Sequence, residues 1–217
     1  MLFASAAAFP SDRQTVTLAN GNELDVVKYP AAGDELLLWL PSEHGLTSGL
    51  DELAKALSTN GTETWVADPF STWFLATAPS SLDRIDIADY QQLIDQAMLT
   101  EKKVFLASND RGTSLLLETA YNWQAKKEAT RLGGAVIISP NLYTETPGSG
   151  KEAEYLPVVD STSLPLLLIV PRKSTGFLRI KESQEALARG GSIVYIQPLQ
   201  GVRDRFFFRN DAIDIEI

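Results

Sequence analysis

Residues 36–40 form an unbroken run of large apolar side chains, four leucines and one tryptophan. A strand with one face in solvent alternates apolar and polar residues, so a run without alternation indicates a strand covered on both faces. Such strands are typical of the middle of a parallel sheet. A parallel sheet also requires long crossover connections, usually helices. The rest of the chain therefore has to supply further buried strands with helices between them.

The sequence on both sides of this run does alternate between strand-like and helical patterns. Apolar runs typical of strands lie at 64–67, 104–107, 135–138, 166–170 and 193–196, and apolar stripes with helical spacing lie at 48–58, 86–99, 112–127 and 180–189. Near the start, strand-like runs at 15–18 and 23–28 flank an Asn-Gly pair, which is a strong hairpin signal. We predict an α/β fold with a doubly wound, mostly parallel sheet that opens with an antiparallel hairpin.

No linker or internal repeat divides the chain, so residues 13–217 are predicted to form one domain. The one long irregular stretch, 141–163, follows a predicted strand and is interpreted as a loop-like cap. Residues 1–12 are apolar and rich in alanine. They are interpreted either as the remnant of a signal peptide, which predicts a periplasmic or secreted protein, or as a flexible start of a cytoplasmic one.

The composition excludes several classes of site and partner. The 217 residues include no cysteine and one histidine, which excludes thiol nucleophiles, disulfides, zinc fingers and multi-histidine metal sites. We therefore expect no metal site and no cofactor. A formal net charge of −9 disfavours nucleic acid as a partner. No stretch approaches the roughly 18 to 20 apolar residues of a membrane-spanning helix, so no membrane span is expected.

The functional residues of an open α/β sheet lie in the turns that leave the carboxyl ends of its strands. Two such turns, 41–45 and 108–112, contain most of the informative polar residues. The candidate catalytic residues are Asp110 and His44, and the candidate binding residues are Ser42, Glu43, Asn109 and Arg111.

Over residues 15–199 the order of these elements resembles that of the α/β-hydrolase family. The family presents its nucleophile in a G-x-S-x-G turn between a strand and a helix. Here the corresponding frame reads Ser108-x-Asp110-x-Gly112, with aspartate at the nucleophile position. In the family, haloalkane dehalogenases and epoxide hydrolases also have aspartate there and form an alkyl-enzyme ester. The resemblance therefore implies that Asp110 is the nucleophile of such a reaction.

The chain also departs from the family pattern. The catalytic histidine of the family follows the last strand, which is expected here to end near Pro198, and residues 200–202 read Gln-Gly-Val. The turns at 171–174 and 140–142, where the family's acid is expected, contain no carboxylate. An ester on an aspartate needs a base that activates water. The sequence therefore predicts a degenerate member without the standard triad.

Each candidate also has a purely structural interpretation. Asp110 precedes a predicted helix, where a carboxylate commonly caps the free backbone N–H groups. His44 lies in the turn that shapes the oxyanion hole in the family, where it either supports the turn or pairs with Asp110 in a rearranged site. Arg111 either pairs with Asp110, binds an anionic ligand or is simply solvated.

These observations leave three hypotheses for the function. The first is a binding or partner-interaction protein without hydrolase activity, whose partner is a small molecule or another protein. The second is an atypical hydrolase of a small ester or halide that uses Asp110 with His44. The third is a subunit of a complex or oligomer, docked through a C-terminal strand over 206–217. Strict polar–apolar alternation at 211–217 predicts that strand.

Overall fold

The computed structural model describes residues 11–126, 132–148, 150–209 and 211–216. Its strands are β1 Asp12–Thr17, β2 Glu23–Tyr29, β3 Glu35–Trp39, β4 Glu63–Ala67, β5 Lys103–Asn109, β6 Leu132–Ile138, β7 Leu166–Lys173 and β8 Val194–Arg203. Its α-helices are α1 Ser48–Thr59, α2 Pro69–Thr72, α3 Pro79–Leu82, α4 Ile87–Met98, α5 Gly112–Lys126 and α6 Ile180–Arg189. Single 3₁₀ turns lie at Pro157–Asp160, Gly176–Arg179 and Phe206–Phe208.

The described strands form one sheet in the order β1-β2-β4-β3-β5-β6-β7-β8. The pairs β1–β2 and β2–β4 are antiparallel, and every other neighbouring pair is parallel. This confirms the predicted α/β fold class with its N-terminal hairpin. The predicted buried strand is β3, which lies between β4 and β5 in the parallel part of the sheet.

The two faces of β3 belong to two hydrophobic clusters, which explains the absence of alternation in its sequence. Leu36 and Leu38 pack in the larger cluster, with buried residues of α4, α5 and α6. Leu37 and Trp39 pack in the second cluster, with α1 and the phenylalanines at 206 and 207. Helices therefore cover both faces of the sheet. No helix among the described residues is long and apolar enough to cross a membrane.

The last strand is longer than the sequence analysis predicted. Strand β8 does not end near Pro198 but continues to Arg203, through Gly201 in the left-handed region at φ 74°. A register shift between Pro171 and Lys173 of β7 accompanies this extension. The residue that follows the last strand is therefore Asp204, so the assignment of that position to residues 200–202 was wrong.

The predicted C-terminal strand is also wrong. Residues 211–216 form turns, and Phe206–Phe208 form a 3₁₀ turn instead of an extended edge. The Glu216 carboxylate holds this segment by accepting hydrogen bonds from the Arg203 backbone and side chain and from the Ile213 N–H. These contacts curl the chain back onto the end of β8, and residues 211–216 form no ladder. Docking through such a strand therefore loses its structural basis.

Candidate functional site

A tight strand–turn–helix connection presents Asp110 between β5 and α5. Asp110 has φ 46°, an uncommon conformation for a residue with a side chain. The turn lies directly against the β3 loop, because a Cβ on Gly112 would lie 2.9 Å from the Ser42 Cα and 3.0 Å from the Pro41 carbonyl oxygen. Ser108, whose hydroxyl donates to the Leu40 carbonyl at 2.6 Å, ties the strand to the same loop. The connection has the shape of a nucleophile elbow.

Two of the predicted binding residues hold the turns together. The Asn109 side-chain amide donates to the Ser42 hydroxyl at 2.8 Å and to Asp110 Oδ2 at 3.0 Å. Ser42 and Asn109 are each 1% exposed. Neither residue lines the cavity beside the elbow. In this structure both residues contribute to positioning Asp110, and their role in ligand binding stays a prediction.

The single histidine lies beside Asp110. His44 Nε2 is 3.7 Å from Asp110 Oδ2 and 4.0 Å from Glu43 Oε1, and no described residue forms a hydrogen bond with this buried atom. The ring of Phe208 covers the imidazole at a centroid distance of 4.9 Å. The structure therefore brings the two candidate catalytic residues together at a separation longer than a hydrogen bond.

The Glu43 carboxylate lies next to the backbone N–H of Arg111, which is the first amide after Asp110 in the elbow. Its Oε2 accepts a hydrogen bond from the Arg111 backbone N–H at 3.2 Å. Within this elbow geometry, the N–H of the residue after the nucleophile is a donor of the oxyanion hole. Glu43 is 7% exposed, so its carboxylate is largely removed from solvent at this donor.

The proposed helix cap by the Asp110 side chain does not form. Among the described residues, its carboxylate accepts a hydrogen bond from the Asn109 amide alone, while Glu43 serves the Arg111 N–H. The Asp110 backbone carbonyl accepts from Thr113 and Asn141 instead. The Asp110 carboxylate therefore caps no helix N–H group in the described part of the chain, and the residue lines the cavity.

The surroundings of Asp110 favour its protonated form. Burial raises the pKa of Asp110, and the nearby carboxylates of Glu43 and Asp204 raise it further. The Asn109 hydrogen bond and the charge of His44 act in the opposite direction, but the net effect is a raised pKa. Asp110 is therefore a carboxyl group whose ionisation is opposed by its environment.

Asp204, which the sequence analysis missed, lies on the cavity at the position that follows the last strand. Its Oδ1 accepts a hydrogen bond from the Ser139 hydroxyl at 3.3 Å. In the family that the chain resembles, this position contains the catalytic histidine. Because β8 contains a proline and a glycine, which usually mark the end of a strand, its full length was not predicted from the sequence. The charged triplet at 203–205, directly after an apolar run, is the signal that could have located the residue.

The elbow opens onto a cavity of about 400 Å³, a volume typical of small-molecule sites. Its wall combines residues from the turns after β3, β5, β6, β7 and β8. The charged lining residues are Glu43, Asp110, Asp204, Arg111, Arg179 and Arg205. Within the described ranges, no group of three or more acidic or histidine side chains has a geometry that could hold a metal ion.

The fold has many relatives among solved structures. No family model matches the sequence, and no curated protein matches it either. A Klebsiella pneumoniae protein assigned as a dienelactone hydrolase superposes with a TM-score of 0.66 at 10% identity, covering 96% of this chain and 94% of that one.

Two esterases give similar values. The esterase Est22 superposes with a TM-score of 0.69 at 10% identity, over 92% of this chain and 73% of that one. Carboxyl esterase 2 of the fungus Tuber melanosporum gives 0.65 at 10% identity, over 99% and 82% of the two chains. Likeness at this identity establishes architecture and leaves activity open. This chain has the α/β-hydrolase fold.

Proposed function

We propose that this protein binds a small molecule in the cavity beside Asp110 and does not hydrolyse esters by the route typical of its fold. The observation that carries the proposal is the hydrogen bond from the Arg111 N–H to Glu43 Oε2. It places a carboxylate where acyl transfer would develop a negative oxygen.

The charge of Glu43 conflicts with acyl transfer for a simple electrostatic reason. An oxyanion hole works because fixed donors point at the site where negative charge develops, and loss of one donor typically lowers kcat by roughly 10²–10³-fold. Here the donor is already engaged, and the group that engages it carries charge of the same sign as the oxyanion. A substrate oxygen would have to displace the buried Glu43 carboxylate before the Arg111 N–H could donate a hydrogen bond to that oxygen.

The absence of a base at the end of β8 supports the same proposal. Asp204 stands where a histidine would activate water, and an ionised carboxylate in that position would add a second negative charge near Asp110, beside that of Glu43. The remaining imidazole, His44, lies beneath Phe208 and does not line the cavity. Ligand binding requires neither a free oxyanion-hole donor nor a base at the end of β8.

A second candidate is an atypical hydrolase of a small ester or halide, favoured by the 3.7 Å separation of His44 Nε2 and Asp110 Oδ2. In that reaction a carboxylate oxygen of Asp110 attacks the carbon that bears the leaving group. With a halide, an ester forms at Asp110 and the halide departs with the bonding electrons. With an ester attacked at its acyl carbon, a mixed anhydride forms at Asp110, and the alkoxide departs with the bonding electrons and takes a proton from solvent. His44 then removes a proton from water, which attacks the Asp110 carbonyl of this intermediate and releases the alcohol or acid product and the Asp110 carboxylate, and His44 returns its proton to solvent.

Turnover assays with matched variants separate these two functions. The assays use p-nitrophenyl esters and haloalkanoates with the wild type, Asp110→Asn and His44→Ala, and the exposed Asp83→Asn serves as a control. We expect no turnover above the heat-inactivated protein and, in a parallel thermal-shift screen, stabilisation by small polar molecules. Turnover that persists in Asp83→Asn but is lost in both site variants would establish the hydrolase instead.

A further inference from the structure

We propose that the ligand of this cavity is a zwitterion, with an ammonium group at an acidic wall and a carboxylate at a basic wall. This inference rests on the proposed binding function and specifies its ligand. It is drawn from the arrangement of both kinds of charge around one cavity.

The acidic wall consists of Glu43, Asp110 and Asp204. All three line the same cavity, and the charges of Glu43 and Asp204 both raise the pKa of Asp110. Glu43 is more than nine-tenths buried, and its Oε1 lies 4.0 Å from His44 Nε2, beyond hydrogen-bond distance. This oxygen is therefore available to accept a hydrogen bond from an ammonium group in the cavity.

The basic wall consists of Arg111, Arg179 and Arg205. Arg179 is fixed by hydrogen bonds to Glu182 at 3.0 Å and to the Lys151 carbonyl at 2.9 Å. Arg111 and Arg205 are exposed to solvent, and their guanidinium groups have no hydrogen bond, ion pair or ring contact with any described residue, so both can pair with a ligand. Guanidinium groups bind carboxylates through paired, planar hydrogen bonds, so this wall suits an anionic group.

The two walls do not neutralise each other. Among the described residues, no ion pair within 4.0 Å joins one of the three carboxylates to one of the three guanidinium groups, although all six line the same cavity. Opposite charges that share a small volume usually pair. Charges that stay separated around that volume suit a molecule that brings the complementary charges between them.

A ligand with one charge would satisfy one wall and leave the other without a partner. A simple carboxylate would bring its charge close to Glu43, Asp110 and Asp204, and a simple amine would meet the arginines in the same way. Discrimination against such ligands arises from the repulsive contacts as much as from the attractive ones. An amino acid with separated charges satisfies both walls at once.

Calorimetric titration with ω-amino acids tests this inference. The probes are β-alanine, γ-aminobutyrate and ε-aminocaproate, which differ in charge separation, and butyrate and n-butylamine, which carry one charge each. We expect at least one amino acid to bind roughly tenfold or more tightly than either single-charge compound, equivalent to about 1.4 kcal/mol. Comparable binding of butyrate or butylamine would overturn the inference.

Variants assign the two groups of the ligand to the two walls. Arg205→Gln is expected to weaken the amino acid about tenfold and to strengthen butylamine binding, because it removes a repulsive charge, while Asp204→Asn weakens both. The exposed Arg84→Gln is the control and should alter neither. Equal effects of Arg205→Gln and Arg84→Gln would refute the assignment.

The outcome also distinguishes this inference from the proposed function. Stabilisation by uncharged molecules, with no response to any amino acid, would reject the zwitterion and retain ligand binding. Turnover that requires Asp110 and His44 would reject the proposed function itself.

Discussion

The Glu43 carboxylate accepts a hydrogen bond from the Arg111 backbone N–H at 3.2 Å, so a side chain from the loop after β3 occupies the first N–H donor of the elbow. This contact joins the two turns electrostatically as well as sterically. It also places the charge of Glu43 beside Asp110, and the first prediction follows from that placement.

Glu43→Gln is expected to lower the pKa of Asp110. The charge of Glu43 is one of the causes that raise this pKa, and the glutamine keeps an oxygen that can accept the Arg111 N–H. The pKa is measured from the carboxyl ¹³C chemical shift of Asp110, assigned with Asp110→Asn. Glu52→Gln, which removes an exposed acidic charge, should leave it unchanged. An unaltered pKa in Glu43→Gln would show that the two carboxyl groups do not interact.

Asp110→Asn is expected to stabilise the protein increasingly as pH rises from acid to neutral. The raised pKa of Asp110 means that the folded state binds its proton more tightly than the unfolded state. Stability is therefore lost as pH rises through the folded pKa, and asparagine avoids this loss. Thermal unfolding across the pH range measures the difference. A gap between variant and wild type that is constant with pH would contradict the prediction.

Gly112→Ala is expected to destabilise the fold by about 1–3 kcal/mol, the usual cost of overpacking. The added Cβ would lie within 3.0 Å of the Ser42 Cα and the Pro41 carbonyl, which belong to the backbone and cannot rotate away. Urea unfolding measures the loss. Gly148→Ala is the control, since its Cβ would meet only the Lys151 side chain, at 3.5 Å. Equal stabilities of the two variants would contradict the close approach of the two turns.

Phe208→Ala is expected to expose His44 and to raise its rate of modification by diethylpyrocarbonate severalfold. The phenyl ring lies 4.9 Å from the imidazole, and His44 is the one histidine in the sequence, so the absorbance change reports it alone. Phe74→Ala removes a ring that is 94% exposed and serves as the control. If Phe208→Ala reacted at the wild-type rate, the ring could not be the cover of the imidazole.

Glu216→Gln is expected to destabilise the protein at neutral pH and to have less effect in acid. Hydrogen bonds from Arg203 lower the pKa of Glu216 from 4.5 to about 2. A depressed pKa contributes stability that is present above 4.5 and is lost as pH falls towards about 2. Thermal unfolding at neutral pH and near pH 2 measures this change. An effect of the same size at both pH values would exclude the ionised contact as its source.

The fold could be predicted from the sequence because the spacing of apolar residues indicates which faces of each strand and helix are buried. The run at 36–40 indicated a strand covered on both faces, and β3 does separate two hydrophobic clusters. The errors lie where a specific contact outweighs a pattern. Alternation at 211–217 is typical of a strand, but residues 211–216 form turns and irregular structure, held by hydrogen bonds between Glu216 and Arg203.

From the sequence, the site could be predicted only as the place where the turns after β3 and β5 lie close together. Their positions after β3 and β5 were readable because neighbouring strands end at the same edge of the sheet. The hydrogen-bond partner of Glu43 could not be predicted, because the same sequence allows its side chain to face His44, Arg111 or solvent. Asp204 was missed for a related reason, because Pro198 and Gly201 conceal how far β8 extends.

The backbone of Asp110 gives this position two opposing requirements. A side chain at φ 46° typically costs on the order of 1 kcal/mol or more, a cost that glycine would largely remove. Glycine, however, would also remove the carboxylate from the cavity wall. Variants selected for thermostability alone are thus expected to drift towards glycine or asparagine here, whereas selection for the protein's biological role should retain aspartate. Position 110 is therefore where the two kinds of selection can be told apart experimentally.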